Sequence, residues 1–388
     1  MNILHLCYDG NFINDSVSVF EKYYPQKNIF LVGKEKNKCR ILNASSVFRY
    51  IPFLRENYSE IYHLCKHSNI DTIVLHGLHR TNVDLLAYLN AEKMYKVYWI
   101  FWGYELYIAL AQEGRYELLD KKLHFYSAKS YIYPGKYNKF LRKILGKEIM
   151  CDVLRKAIPF IDYFCFWNYE DYLLFQREYN TNIQFKYFAY QAMNKEEQSE
   201  NEIEHSSFEK EKKILINHQA SLSANHISIM EKVASIDKLN EYSKIIPLSY
   251  GFSSIRNLVL KEGRKMFGEQ FIPILSYMPK NEYIGLIGSV AVAIIGARRQ
   301  EAAGNIIALL KNGVKVFLRD DNNLLAYYLK KGYIIFSLDK DLKTMDDLLP
   351  LSELEQKHNF QCYCSNRIYN DDSVSYTHLR AHETRRHL

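Results

Sequence analysis

The stretch 291–320, AVAIIGARRQEAAGNIIALLKNGVKVFLRD, limits most narrowly what this chain can fold into. It begins with an uncharged apolar run, continues with apolar residues at helical spacing, and reaches a second apolar run after Asn312 and Gly313. These periods predict a strand, a loop, a helix and a second strand. That succession is the repeating unit of a parallel α/β sheet.

The loop of this unit, GARRQEAAGN at 296–305, is a candidate anion site. It joins the carboxyl end of a strand to the N-terminus of a helix and carries two arginines. Helix N-terminal amides and guanidinium groups both favour bound negative charge. A charged loop without a ligand is the alternative, because many α/β domains have one.

The same alternation of strand and helix occurs in two halves of the chain. In the first half, strands are predicted at 2–8, 28–33, 70–76, 95–102 and 160–167. A polar, aperiodic stretch at 194–213 predicts a linker, and the pattern restarts at 214. We therefore predict an α/β protein with a Rossmann-like N-terminal domain at 1–193 and a Rossmann-like C-terminal domain at 214–372, facing a cleft.

The last residues, 373–388, differ from the rest of the chain in composition. They include SYTHLRAHETRRHL, which has three histidines, three arginines and no apolar period. This sequence resembles a translated sequencing adaptor of the kind found at the ends of truncated reading frames. We expect it to be a non-native appendage, and its histidines not to form a metal site.

Charge and cysteine content give no sign of a nucleic-acid-binding module or a metal site. The net charge of +7 is spread along the chain, and no recognition helix, RNA-binding strand motif or zinc module accompanies it. The seven cysteines show no paired metal-ligand spacing, which predicts reduced thiols and no bound metal. No run of eighteen apolar residues occurs, and Asp9 comes too early for a signal peptide, so a cytoplasmic protein is expected.

One segment, 121–148, combines many basic residues with aromatic ones and has almost no acid. Such a surface can rest on an anionic bilayer, with cations toward the headgroups and aromatic rings in the interface. The membrane-contact candidates are Lys136, Lys139, Arg142 and Lys143. A helical hairpin that packs its aromatic side chains inward is the alternative.

Several dispersed stretches together resemble one family. They are HGLHR (76–80), YWIFWGYELY (98–107), ILINHQASLSANHI (214–227), KIIPLSYG (244–251), EYIGLIGSVAVAIIGARRQEAAGNI (282–306) and KVFLRD (315–320). In this order they are similar to the bacterial glycosyltransferases that transfer 4-acetamido-4,6-dideoxygalactose from its dTDP-sugar to a lipid-linked saccharide, as in enterobacterial common antigen synthesis.

The resemblance implies a two-domain GT-B glycosyltransferase that uses no metal or other cofactor. Its substrates would be a nucleotide-diphosphate sugar and a polyprenyl-diphosphate-linked acceptor, at the inner face of the plasma membrane. The second domain would hold most of the nucleotide. Residues matching the family's arginine–glutamine and glycine–asparagine pattern are expected to bind the diphosphate: Arg298, Arg299, Gln300, Gly304 and Asn305.

Two other strand ends of the second half carry donor-binding candidates. Asn217, His218 and Gln219 stand where the family typically has Gly-Asn-Ser, and their side chains can reach a pyrophosphate or a sugar hydroxyl. Losing that glycine changes how closely the backbone can approach a ligand. Tyr250 and Gly251 can flank the base or the sugar, although a turn alone also explains the glycine.

The first domain is expected to supply the base that deprotonates the acceptor hydroxyl. Glu105 stands where the family usually has aspartate and is the first candidate; His76 and Asp9 also follow predicted strands. A histidine at a strand end often has a structural role instead.

Three other functions are compatible with the pattern. A nucleotide-sugar 2-epimerase shares the two-domain architecture and would form product from the donor alone. A nucleotide-sugar-binding protein would keep the arginine loop and lack only the base. A basic nucleic-acid-binding protein is the alternative outside sugar chemistry.

Overall fold

The computed structural model describes residues 1–43, 45–124, 140, 142–189 and 209–367. These residues form two compact units. The first contains Met1–Arg115 and the described residues among 136–195, and the second contains 116–124 and 209–367. The predicted tail at 373–388 and most of the predicted linker lie outside the described residues.

The first unit is built on a parallel sheet with the strand order β3-β2-β1-β4-β5-β6-β7. Its strands are β1 (Ile3–Cys7), β2 (Asn28–Val32), β3 (Phe48–Tyr50), β4 (Thr72–His76), β5 (Lys96–Ile100), β6 (Tyr163–Phe166) and β7 (Gln184–Tyr187). Every residue of β1, β4 and β6 is buried, as expected for strands covered on both faces.

Helices connect these strands. They are α1 (Asn11–Tyr23), α2 (Tyr58–His67), α3 (Arg80–Leu89), α4 (Tyr104–Glu113), α5 (Met150–Ala157) and α6 (Tyr169–Tyr179). Trp99 of β5, Phe164 of β6 and Phe175 of α6 stack edge to face and face to face in the core.

The second unit repeats the plan with the parallel order β10-β9-β8-β11-β12-β13. Its strands are β8 (Glu211–Ile216), β9 (Ser243–Pro247), β10 (Phe271–Ile274), β11 (Val290–Ile295), β12 (Lys315–Leu318) and β13 (Phe336–Ser337). Its helices are α7 (His226–Ile236), α8 (Ser253–Phe267), α9 (Lys280–Gly288), α10 (Ala303–Lys311), α11 (Asn323–Lys330) and α12 (Glu353–Arg367). The unit predicted at 291–320 is therefore β11, α10 and β12.

Two details differ from the predicted domain boundaries. β8 begins at Glu211, so the polar residues 211–213 belong to the strand. Residues 116–124, predicted to lie in the first domain, pack with the second unit because Leu118, Leu119 and Leu123 are buried there and Asp120 makes ion pairs with its loops.

In each sheet the strand order reverses direction once, between β1 and β4 and between β8 and β11. Loops leaving the carboxyl ends of two such neighbouring strands diverge and leave a crevice, which is where parallel α/β sheets bind ligands. Within the described residues, no helix is both long and apolar enough to cross a bilayer.

Candidate active site

Asn217 joins the two strands at the reversal point of the second sheet. It follows β8 with a left-handed φ of 62°, a conformation that asparagine tolerates better than most residues, and it is fully buried. Its side-chain Oδ1 accepts the Gly296 N–H at 2.7 Å, directly after β11. The Asn217 side chain thus connects the ends of β8 and β11. Its amide oxygen, predicted from the sequence to bind the donor, is already engaged by the protein.

His226 holds the loop that follows Asn217. Asn217 Nδ2 donates to His226 Nδ1 at 3.1 Å, so His226 carries its proton on Nε2 and donates it to the Gln219 carbonyl at 2.8 Å. Burial lowers the pKa of His226 to about 4, and the ring is therefore neutral near pH 7. The loop 217–219 is consequently fixed at both ends.

Arg298 lies in a group of carboxylates. Its Nη2 is 2.8 Å from Asp120 Oδ1, and its Nη1 pairs with Asp321. Although burial opposes the charge, these two acids raise the pKa of Arg298 above its usual range. Asp120 also pairs with Arg319, which in turn reaches Asp339. The guanidinium predicted to bind a diphosphate is thus already bonded within the protein.

Arg299 is also paired with an acid. Its Nη2 lies 2.7 Å from Glu301 Oε1, and its Nη1 donates to the Gln300 carbonyl at 3.2 Å. Gln300 itself is buried. Both arginines of the loop after β11 are therefore paired with carboxylates, whereas the sequence predicted cationic groups available to a ligand.

Glu301 and His218 face each other across the reversal point. Glu301 Oε1 accepts from Ser223 Oγ, while Oε2 lies 3.9 Å from His218 Nε2. Among the described residues, no hydrogen-bond donor reaches Glu301 Oε2 and no partner reaches His218 Nδ1. Burial lowers the pKa of His218, with the neighbouring Glu301 acting in the opposite direction. Glu301 directly follows the Arg-Arg-Gln motif, but no sequence pattern singles it out as a site residue.

The N-terminus of α10 lies beside this pair. Ala302, which precedes the helix, has a φ of 63°, an uncommon conformation for a residue with a Cβ. Gly304 is exposed, and a Cβ built on it would meet nothing within 4 Å. Asn305 Nδ2 donates to the Tyr283 hydroxyl at 3.3 Å. The N-terminus of α10 is therefore open to solvent at Gly304.

Tyr250 and Gly251 follow β9 at the same edge. The Tyr250 carbonyl accepts the Ala220 N–H at 2.8 Å, and the Tyr250 side chain is 75% exposed. Gly251 has a φ of 113°, and a Cβ there would lie 2.3 Å from the Ala220 oxygen. This close backbone approach accounts for the glycine, whereas the exposed tyrosine ring has room for a ligand.

In the first unit, Glu105 is a fully buried carboxylate at the start of α4. Its Oε1 accepts from the Leu78 N–H at 3.2 Å and from Trp99 Nε1 at 3.4 Å, and its Oε2 accepts from the Trp102 N–H at 3.2 Å. Burial outweighs these bonds and raises the pKa of Glu105 to about 7. Glu105 can therefore hold or release a proton near neutral pH, but its oxygens face the protein interior.

His76 ends a chain of hydrogen bonds. Asn28 Nδ2 donates to Glu21 and to the Tyr24 carbonyl, each at 2.7 Å, so Asn28 Oδ1 accepts from His5 Nε2 at 3.2 Å. His5 Nδ1 then accepts from His76 Nε2 at 3.0 Å. This order leaves the lone pair of His76 on Nδ1, which has no partner among the described residues. Burial lowers the pKa of His76 well below 6.5, so the ring is neutral.

Asp9, which follows β1 at the carboxyl-end edge of the first sheet, holds a loop of the backbone in place. Its carboxylate accepts three backbone N–H groups, from Arg40, Ile41 and Leu42, at 2.8 to 3.2 Å, and lies 3.5 Å from Lys34 Nζ. Burial alone would raise the pKa of Asp9, but these donors lower it. A carboxylate held in this way is a weak base, so the geometry disfavours the catalytic role expected from the sequence.

A further polar group at this edge was not foreseen. His79, at the N-terminus of α3, accepts the Asn82 backbone N–H on its ring, and its Nε2 lies 3.1 Å from the Tyr104 hydroxyl. The Tyr8 ring packs edge to face against His79. The HGLHR stretch contains His79 as well as His76, but only His76 has the sequence signal of a strand end.

Of the membrane-contact candidates, Lys136 and Lys139 lie outside the described residues. Arg142 is half-buried and donates from Nε to the Glu148 carbonyl at 2.7 Å, whereas Lys143 is exposed. Beside Lys143, Phe140, Ile144 and Leu145 are exposed by 64%, 65% and 53%. Lys143 thus lies among apolar side chains open to solvent.

No protein-family model matches this chain, and no curated protein matches it in sequence. Solved structures do match it over nearly its whole length. Sucrose-phosphate synthase from Thermosynechococcus elongatus has a TM-score of 0.61 at 9% identity, covering 100% of this chain and 98% of that one.

Two ligand-bound structures are also similar. Anabaena Alr3699/HepE, in complex with UDP and glucose, has a TM-score of 0.57 at 9% identity and covers 100% of both chains. A structure described as trehalose-6-phosphate from E. coli bound with UDP-2-fluoro glucose has a TM-score of 0.54 at 11% identity, covering 95% and 96%. With its two parallel α/β units, the chain therefore has the fold of the GT-B glycosyltransferases.

Proposed function

We propose that this protein is a glycosyltransferase that moves a sugar from a nucleotide diphosphate to an acceptor hydroxyl. The observation that carries the proposal is the reversal point of the second sheet, where polar side chains and the N-terminus of α10 surround the ends of β8 and β11. The similar structures that were solved with UDP and glucose or with UDP-2-fluoro glucose support a nucleotide sugar as the ligand. The motif resemblance supports a dTDP-linked deoxyamino sugar.

In the proposed reaction, the acceptor oxygen forms a bond to the anomeric carbon as the bond from that carbon to the diphosphate oxygen breaks. The acceptor proton passes to a base, and the nucleoside diphosphate leaves with the electron pair. Because Arg298 and Arg299 each have carboxylate partners, we assign the amides of Ala303, Gly304 and Asn305 the main role in holding the leaving group. The proposed chemistry needs no metal ion.

We propose Glu105 as the first candidate for the base, because its pKa of about 7 suits proton transfer at neutral pH. His76 is the second candidate: its lone pair on Nδ1 is set by His5 and Asn28, but its lowered pKa makes it a weaker base than Glu105. Either group must be uncovered before it can reach an acceptor, because both side chains are fully buried.

We also propose that the acceptor is a polyprenyl-diphosphate-linked saccharide at the cytoplasmic face of the membrane, as the family resemblance implies. Lys143 and the exposed Phe140, Ile144 and Leu145 would then contact the bilayer. A cation beside exposed apolar side chains suits an anionic headgroup layer.

The test is a turnover assay with dTDP, UDP and GDP sugars, with the lipid-linked acceptor supplied in anionic or neutral vesicles. We expect the nucleoside diphosphate to be released only when donor and acceptor are both present, and faster on anionic vesicles. A Lys143→Glu variant should lose that preference for anionic vesicles, whereas Lys238→Glu, in the other unit, should keep it. A new sugar nucleotide formed from donor alone would instead establish an epimerase, and no turnover with any donor would contradict the proposal.

A further inference from the structure

The loop between β2 and β3 concentrates positive charge at one end of the first sheet. Residues 34–50 contain five lysines or arginines and a single acid, Glu35. Lys34 lies 3.5 Å from Asp9, and Lys38 lies 3.0 Å from Glu35. The remaining three cations are exposed and have no carboxylate partner among the described residues: Lys36, Arg40 and Arg49.

A groove of about 550 Å³ opens beside two of these cations. It is lined by Lys36, Ser45, Ser46, Phe48, Arg49 and Tyr50. Arg49 Nη1 donates to the Ser46 and Phe48 carbonyls, at 2.8 and 3.0 Å, which fixes the plane of the guanidinium. Within the described part of the chain, Arg49 Nε and Nη2 have no acceptor. The groove therefore offers a guanidinium, an ammonium group and two hydroxyls, and no acid lines it.

The backbone that carries this charge is held by two side chains. Asp9 accepts the three consecutive N–H groups of residues 40–42, at 2.8 to 3.2 Å. Asn14 of α1 accepts the Asn43 N–H at 2.9 Å and donates to the Ile41 carbonyl at 3.1 Å. Because like charges in one loop repel each other, these bonds keep the cations together.

The donors of the groove suit a phosphate group better than a carboxylate. A carboxylate has two oxygens in one plane, whereas a phosphate has oxygens in a tetrahedral arrangement that accept from ammonium, guanidinium and hydroxyl donors at once. Arginine binds phosphate oxygens through two parallel N–H bonds. A volume of about 550 Å³ lies within the range of small-molecule sites, so a diphosphate fits as well.

The groove lies at the same edge of the sheet as the candidate bases. The register of the parallel strands β3, β2, β1 and β4 brings their carboxyl ends together, so Tyr50 of β3 and His76 of β4 both end there. β3 and β4 are three strand spacings apart, roughly 14 Å. A ligand with its phosphate in the groove and a hydroxyl near His76 must therefore be extended, as a phosphate-linked saccharide is.

We propose that this groove binds the diphosphate group of the acceptor, and that Asp9 and Asn14 are positioning residues for its cations. The inference rests on the proposed function for the identity of the acceptor. The binding of a diphosphate in the groove is measurable without turnover.

Calorimetry with inorganic diphosphate tests the groove, on protein first saturated with UDP, dTDP or GDP so that a donor diphosphate site is already filled. Lys36→Ala combined with Arg49→Ala should weaken binding by about threefold to thirtyfold, as expected for two exposed ion pairs. The matched control, Lys27→Ala with Lys66→Ala, removes two exposed lysines of the same unit and should change the affinity by less than about twofold. No binding by the parent protein, or an equal loss in the control, would overturn the proposal.

Asp9→Ala separates positioning from charge. If charge alone mattered, removing a carboxylate beside cations would tighten anion binding. Because three backbone hydrogen bonds of the loop are lost, we expect this variant to bind inorganic diphosphate about threefold to tenfold more weakly. Tighter or unchanged binding would contradict the positioning role. If Asp9→Ala does not fold, Asn14→Ala is expected to weaken binding in the same way without changing any charge.

Two further measurements identify the source of the phosphate. With a lipid-linked acceptor in neutral vesicles, the Lys36→Ala, Arg49→Ala protein should have a higher KM for the acceptor and the parental KM for the donor. An unchanged acceptor KM, in a variant that has lost diphosphate binding, would overturn the assignment to the acceptor. On phosphatidylglycerol vesicles without acceptor, variant and parent should sediment alike. A variant that loses only this sedimentation would assign the groove to lipid headgroups and refute the proposal. If no nucleotide sugar is turned over, the proposed function fails, and calorimetry alone decides whether the groove binds a diphosphate.

Discussion

Asp120→Ala is expected to lower the free energy of unfolding of the second unit by about 2 to 3 kcal/mol, below the cost of breaking a fully buried ion pair because both arginines are partly exposed. The Asp120 carboxylate forms ion pairs with Arg298 and Arg319 and accepts a hydrogen bond from the Ser228 hydroxyl. Its backbone N–H donates to Asn225 Oδ1 at 2.9 Å. Its loss leaves two guanidinium groups with one carboxylate partner each, Asp321 and Asp339.

The measurement is urea unfolding followed by two probes. All three tryptophans, Trp99, Trp102 and Trp167, lie in the first unit, so their fluorescence reports that unit alone, whereas circular dichroism reports both. We expect Asp120→Ala to shift the dichroism transition and leave the fluorescence midpoint in place. The matched control is Lys122→Ala on the same segment.

Lys122 is 65% exposed and pairs with Glu231 at 2.7 Å. An exposed pair of this kind contributes about 0 to 1 kcal/mol, so the control should change little. If Asp120→Ala costs no more than Lys122→Ala, the carboxylate does not hold segment 116–124 on the second unit. A shifted fluorescence midpoint would likewise contradict the assignment of Asp120 to that unit.

The second large effect is a pH dependence from Glu105. Its pKa rises from an ordinary 4.5 to about 7 in the folded protein, so the folded state binds a proton more tightly than the unfolded chain does. The stability gained in this way is fully present below pH 4.5 and is lost as the pH rises through about 7. The difference corresponds to about 3 kcal/mol over that window.

Glu105→Gln is the informative variant, because the amide resembles the protonated acid and does not titrate. Between pH 4.5 and 8, the free energy of unfolding from tryptophan fluorescence should fall by about 3 kcal/mol more in the parent than in the variant. Parallel pH profiles for the two proteins would show that Glu105 does not titrate in this range. A variant that also transfers sugar at the parental rate would remove Glu105 as the base.

The fold could be predicted from the sequence because long buried strands leave a strong local signal. The apolar run at 290–295 and the helical period after it placed β11 and α10 to within a residue or two. Short edge strands such as Gln184–Tyr187 and Phe336–Ser337 were missed, since so few residues carry no clear period. Helix α4 was missed because Leu106, Tyr107, Ala109 and Leu110 are buried together, which hides its amphipathic pattern.

The interactions of the site residues could not be predicted in the same way, because the residues that pair with them lie far away in the sequence. Arg298 meets Asp120, 178 residues earlier, and His76 meets His5, 71 residues earlier. No local pattern in the sequence indicates such pairs. Two adjacent arginines therefore predicted a cationic loop, whereas in the structure both arginines are paired with carboxylates. Glu301 was the exception, since an acid beside Arg299 could have been recognised as its partner from the sequence.

We propose that the reversal point between β8 and β11 binds a nucleotide sugar. Hydrogen–deuterium exchange with saturating dTDP, UDP or GDP sugar tests it most directly, because amides that contact or lie under a ligand exchange more slowly. We predict slower exchange in peptides covering 217–222 and 296–305, with at least one of these donors. Unchanged exchange in both peptides with every donor, or protection confined to other parts of the chain, would contradict the claim.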